Sequence, residues 1–369
     1  EGNEMRIHSQ KKKILPLLLA AALALPLAAC GAGGPNKGAS ASASNEPAPT
    51  STASPAAAPS TAKLPDEVRI GYQVIPNAEL LVKTLGLAEK TFEGVSVKWV
   101  QFDSGRDVNT AIASGSIDLG LAGSVPVAIG LASGVDYQVY FLHDIIGDNE
   151  ALAVRKDAGI ESIQDLAGKK VAVPFGSTTH FSLLSALKAE GVDPGKVTIL
   201  DLQPPDILAA WQRKDIDAAF VWQPTLAKLV EDNGQILTSA KKLSEQGIIT
   251  ADVGVVRKAF AEQYPEFLER YVGVLDEAIE LYRSKPEEAA KALAPILSAS
   301  EADSLAQMNE LVWLTSSEQR AQSYLGEGAG SGFARVLKQT GDFLAEQKTI
   351  PSSPDLSVYE KGILADAIQ

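Results

Sequence analysis

Three consecutive hydroxyls, Ser177, Thr178 and Thr179, follow the β-branched run Val171 to Val173, which breaks at Pro174 and Gly176. They precede Ser182 to Lys188, where Leu183, Leu184 and Leu187 fall at helical spacing and Gly191 supplies a stop. The hydroxyls therefore sit where a strand hands over to a helix. A helix start offers unpaired N–H groups and the positive end of a dipole. Side-chain hydroxyls beside those donors make a small site for an anion. The simpler reading is that one of the three is only an N-cap.

The remaining inventory restricts the chemistry. There are three histidines (His8, His143, His180) and one cysteine, Cys30. By the usual ligand spacings that set builds no metal cluster, and it allows no disulfide within the chain. No glycine-rich loop ending in Gly-Lys-Ser/Thr occurs, so nothing here reads as an ATPase. Acidic residues outnumber basic ones 46 to 33, a formal charge of -13. That balance argues against nucleic acid as a partner. An anionic ligand would have to be held by local dipoles and not by the overall field.

Behind these residues lies a chain of 369 residues, 45% hydrophobic, enough for two domains and a sizeable core. Its first segment is not fold. Arg6 and Lys11 to Lys13 precede an apolar run, Ile14 to Ala29, too short for a comfortable membrane span. We read residues 1–29 as a secretory signal peptide. Residues 30–64, rich in Gly, Ala, Ser, Pro and Thr, read as a flexible tether. Without the four basic and two acidic residues ahead of Cys30, the charge becomes -15.

From Val68 onward short apolar strands alternate with helical segments. Residues 65–150 read as the first part of one lobe, 151–251 as a second lobe, and 252–369 as a return to the first with C-terminal helices. Ala259 to Ser284 reads as one amphipathic helix. Ile117-Asp118 and Ile216-Asp217 echo each other: each follows a helix, and a proline lies seven or eight residues beyond the Asp. The echo suggests two βα-rich lobes of similar plan.

Several segments together resemble the taurine-binding proteins of bacterial ABC importers, in the wider class that includes aliphatic sulfonate and nitrate binders. They are Val68 to Gln73, Phe102 to Gly105, Asn149 to Leu152, Ala172 to Phe175, Ser177 to His180, Leu202 to Pro205, Ala209 to Arg213 and Val221 to Pro224. Leu27-Ala28-Ala29-Cys30-Gly31 resembles the bacterial lipoprotein box, whose Cys is acylated; the alternative is an ordinary cleavage site beside a chance Cys. The resemblance implies an α/β type II periplasmic-binding-protein fold, two lobes joined by crossing strands near Glu150 and Asp252, with a cleft that closes on ligand. It implies a lipid-anchored, extracytoplasmic, non-catalytic monomer without cofactor, which feeds a sulfonate to a permease and its ATPase.

Taurine carries a sulfonate and an ammonium, so its site needs neutral donors at one end and carboxylates at the other. For the donors we nominate Ser124, Thr178, Thr179 and Gln73. For the ammonium we nominate Glu150 and Asp252, with Trp222 walling the two-carbon linker or lying against the cation. His180 is assigned to support of the turn. The chain departs from the taurine branch at Val125, where a second serine is common, at Gly254, where a tryptophan is common, and at Gly176, where an apolar residue is common. Gly254 is expected to widen the cleft near the ammonium end, which would admit a bulkier or N-substituted sulfonate. Two alternatives stay open at this stage: an enzyme like the thiamine-pyrimidine synthases, which share the architecture, and a sensor or adhesion role for the same cleft.

Overall fold

The computed structural model describes residues 63–326 and 330–368. The signal peptide, Cys30 and the tether up to residue 62 lie outside the described residues.

Ten strands organise the described residues: β1 (Glu67–Tyr72), β2 (Ser96–Gln101), β3 (Leu119–Gly123), β4 (Tyr137–Ile145), β5 (Glu150–Arg155), β6 (Lys170–Val173), β7 (Thr198–Asp201), β8 (Ala218–Trp222), β9 (Gly234–Ser239) and β10 (Ala251–Arg257). They form two five-stranded sheets, ordered β2-β1-β3-β10-β4 and β7-β6-β8-β5-β9. In each sheet the strand in second place, β1 or β6, runs parallel to both its neighbours, with helical crossovers between them. An antiparallel strand fills the fourth place, β10 in one sheet and β5 in the other. The chain changes sheet twice, between Ile145 and Glu150 and between Ser239 and Ala251. Glu150 thus opens β5 in the second sheet, and β10 starts at Ala251, each one residue earlier than the lobe boundary read from sequence.

The two sheets share more than strand order. The Asp118 carboxylate accepts the Arg69 N–H in β1 (3.0 Å), and the Asp217 carboxylate accepts the Lys170 N–H in β6 (2.8 Å). The backbones match as well: Asp118 donates its N–H to Arg69 and accepts from Arg257, while Asp217 donates to Lys170 and accepts from Arg155. The Ile-Asp echo is therefore one register clamp used once per lobe.

Strand periodicity explains the packing. In β8, Ala218 and Phe220 join Leu183 and Leu187 on one face, while Ala219 and Val221 join Ile207 and Trp211 on the other. Both faces of this sheet are covered by helices.

One local reading needs correction. The helix read over Ala259 to Ser284 is two helices, Lys258–Gln263 and Pro265–Ser284. Tyr264 between them has φ -133°, as a residue before proline is driven out of the helical region. Residues 225–250 hold the helices Thr225–Glu231 and Ala240–Ser244 and the edge strand β9.

Candidate functional site

The helix Thr178–Ala189 starts directly after the β6 turn. Ser177 caps it: its hydroxyl accepts the His180 N–H (3.1 Å), donates to the Pro174 carbonyl (2.6 Å) and lies 2.8 Å from Thr179 Oγ1. Gly176 makes the preceding turn at φ +74°, a conformation that costs glycine little. His180 accepts the Gly176 N–H on Nδ1 (3.2 Å) and stacks on Phe175 (ring centroids 4.6 Å apart), so it braces the turn. Burial pulls its pKa down to about 4. The backbone N–H groups of Thr178 and Thr179 have no partner among the described residues.

Across from this helix start, β3 ends at Gly123 and the helix Ser124–Ala132 begins. The two helix starts nearly touch. A β-carbon built on Gly123 would lie 2.7 Å from Thr178 Cγ2. Between them is a cavity of about 10 Å³, lined by Gln73, Ile75, Gly105, Gly123, Pro126, Glu150, Ser177, Thr178, Trp222 and Asp252. That volume holds about one water, so a two-carbon ligand enters only when the walls separate. Larger grooves of about 610 and 510 Å³ lie elsewhere, and neither gathers helix starts with buried carboxylates.

The carboxylates dominate the floor. Glu150 accepts the Thr178 hydroxyl on Oε1 (2.5 Å), while its Oε2 is buried without a partner among the described residues. Asp252 lies beside it. Asp144, on β4 opposite Asp252, is fully buried, and the nearby Asp252 backbone N–H closes no well-aligned bond to either carboxylate oxygen. Burial raises all three pKa values: Asp252 to about 7, Glu150 and Asp144 well above the usual carboxylate range. The negative charge of Asp252 adds to the shift of the other two. Among the described residues no Lys or Arg lines the cavity. Three buried acids without a cation make a strong acceptor for one.

Five of the seven nominated residues line the cavity: Gln73, Glu150, Thr178, Trp222 and Asp252. Gln73 spends one amide N–H on the Leu121 carbonyl (3.0 Å), which leaves the other. The hydroxyls of Ser124 and Thr179 are not brought to the wall. Ser124 Oγ accepts the Ala251 N–H (3.3 Å), and Thr179 Oγ1 turns to Ser177. Both side chains are fully buried.

A family model described as the substrate binding domain of an ABC-type glycine betaine transport system matches residues 66–312. The taurine-binding periplasmic protein of Escherichia coli (strain K12) is 38% identical over 282 residues, 74% of this chain and 85% of that protein. The chain belongs to the substrate-binding proteins of ABC importers. Among solved structures, the periplasmic aliphatic sulphonate binding protein of Escherichia coli aligns at 25% identity with a TM-score of 0.66, over 80% of this chain and 92% of that one. The alkanesulfonate-binding protein of Xanthomonas axonopodis pv. citri, solved with MOPS, shares the fold at 23% identity and a TM-score of 0.70, over 82% of this chain and 99% of that one.

Within this binding-protein frame, the sequence reading missed Asp144 and left Ser177 out of the cavity wall. The signal for Asp144 was weak: an acid inside the apolar run Val139 to Ile146, where a charge has to be accounted for. The expectation for Gly254 is overturned. A β-carbon there would lie 2.6 Å from the Tyr140 ring, in the core of the first lobe. The glycine makes room for Tyr140 and does not widen the cleft. Val125 likewise packs into an apolar cluster with Phe181, Leu344 and Ile350.

Proposed function

We propose that this protein captures taurine or a related aliphatic sulfonate outside the cytoplasm and hands it to an ABC permease and its ATPase. The observation that carries the reading is the pairing of two opposed helix starts with two buried acids that line the cavity, Glu150 and Asp252, and a third, Asp144, fully buried beside them. The first suits a headgroup that stays anionic at physiological pH; the second suits an ammonium. The taurine and sulfonate ligands named for the relatives fit the same two ends.

In this reading the Thr178 and Thr179 N–H groups, the Thr178 hydroxyl and the free Gln73 N–H hold the sulfonate. Thr178 gives up its bond to Glu150 to do so. Glu150 and Asp252 hold the ammonium, Asp144 adds its charge from behind them, and Trp222 lies against the linker. No reaction is assigned: the Ser177 hydroxyl is committed to its cap, and His180 to its turn. Acylation of Cys30 would keep a monomer at the membrane, where two chains are needed for stable anchoring.

Calorimetry on the tether-free domain tests this with taurine, ethanesulfonate, β-alanine and nitrate. Binding is expected to require a sulfonate. Glu150→Gln and Asp252→Asn should each weaken taurine by about 100-fold or more, since orphaning one partner of a buried ion pair costs about 3–5 kcal/mol. Ethanesulfonate, without an ammonium, should lose far less. Equal losses on both ligands would remove the two acids from the amine end.

A further inference from the structure

The 10 Å³ cavity has a neighbour. A chamber of about 270 Å³ lies between the lobes and shares two wall residues with it, Gln73 and Trp222. Its remaining walls include Val74 and Phe102 from the first lobe, and Pro204, Leu208 and Thr225 from the second. Gln101, Asp103 and Lys228 line it too, so apolar and charged side chains share the surface. In β-sheet register Glu150 pairs directly with Trp222, so their side chains stand side by side on one face of the second sheet. A nitrogen held by Glu150 is therefore adjacent to the partition, and a substituent on that nitrogen has its shortest exit past Trp222. A cavity of about 150 Å³ accepts benzene, so this chamber has room for a six-membered ring.

We propose that the cleft takes 2-aminoethanesulfonates substituted on nitrogen, with the substituent lodged in the Trp222 chamber. This rests on the taurine reading of the same site. A secondary ammonium keeps two N–H donors for the acids, so substitution removes one donor and gains apolar contact in exchange. The substrate class is then set by the chamber and not by position 254.

N-cyclohexyltaurine and taurine, titrated separately into the wild-type domain, test the proposal. N-cyclohexyltaurine should bind within about tenfold of taurine. Leu208→Trp, which fills the chamber away from the headgroup and acids, should weaken N-cyclohexyltaurine by at least about tenfold and leave taurine within about threefold. Should that variant not fold, Thr225→Trp intrudes on the same volume from another wall. Taurine binding with N-cyclohexyltaurine more than about 1,000-fold weaker overturns the inference and leaves the taurine reading intact. Equal losses of both ligands in the chamber variants also overturn it. No binding of either ligand defeats the taurine reading itself.

Discussion

Asp144, Glu150 and Asp252 titrate as a group, because each charge makes the next harder to form. Burial raises all three, so near neutral pH the set carries part of its protons. An ammonium favours the charged forms and should release protons as it binds. Taurine affinity is expected to fall as pH drops from 8 to 5, while ethanesulfonate affinity holds or rises. Titrations in buffers of different ionisation enthalpy would read the proton release directly. Asp144→Asn should weaken taurine more than ethanesulfonate, as for the other two acids. At this scale the sequence revealed the cavity-lining hydroxyl and two of the acids through motif likeness. It did not reveal which way Ser124 and Thr179 turn, because a hydroxyl at a helix start can serve ligand or backbone equally well. Nor did it reveal that position 254 faces Tyr140, because bulges between Asp252 and Val253 and between Gly254 and Val255 disturb the alternation of β10.

Two helix starts facing each other bring like ends of two dipoles together, and an anion between them relieves that repulsion. How closely they approach depends on Gly123. Gly123→Ala puts a methyl against Thr178 Cγ2 and should weaken every sulfonate by about tenfold to a hundredfold, in the range of a 1–3 kcal/mol overpacking cost. Its own φ of -69° suits alanine, but the same contact is made without ligand, so thermal stability should fall as well. Ser177→Ala acts differently. It removes the cap and should cost about 1 kcal/mol of stability, measured by urea unfolding. Most strands and helices were legible because apolar runs ended at Pro or Gly. The edge strand β9 was not, since only its first and last residues are buried and it shows little periodicity.

The whole molecule should respond to pH in a set direction. Glu79, buried beside Tyr271 and 3.8 Å from His143, has its pKa raised to about 8 by burial, and His143 is lowered to about 3. Between pH 6.5 and 8 the two histidines that shift, His143 and His180, still lose part of their proton in the unfolded chain, a small slope of opposite sign that the acids outweigh. There the folded state retains protons on Glu79 and the cleft acids that the unfolded chain has lost. Stability without ligand should therefore decline from pH 6.5 to 8. Thermal unfolding at the two pH values checks this, and Glu79→Gln should flatten the decline.

Strand order also dictates a sequence of events for the growing chain. The second sheet is made of consecutive strands, β5 to β9, and is complete by Ser239. The first is not, because β10 separates β3 from β4 and is synthesised only after the whole second lobe. A nascent chain that stops short of Ala251 thus carries one finished half and one half with β3 and β4 both exposing a bare strand edge. Such edges invite pairing with other chains. The last strand delivered shields both at once, and in the same stroke sets Asp252 opposite Asp144.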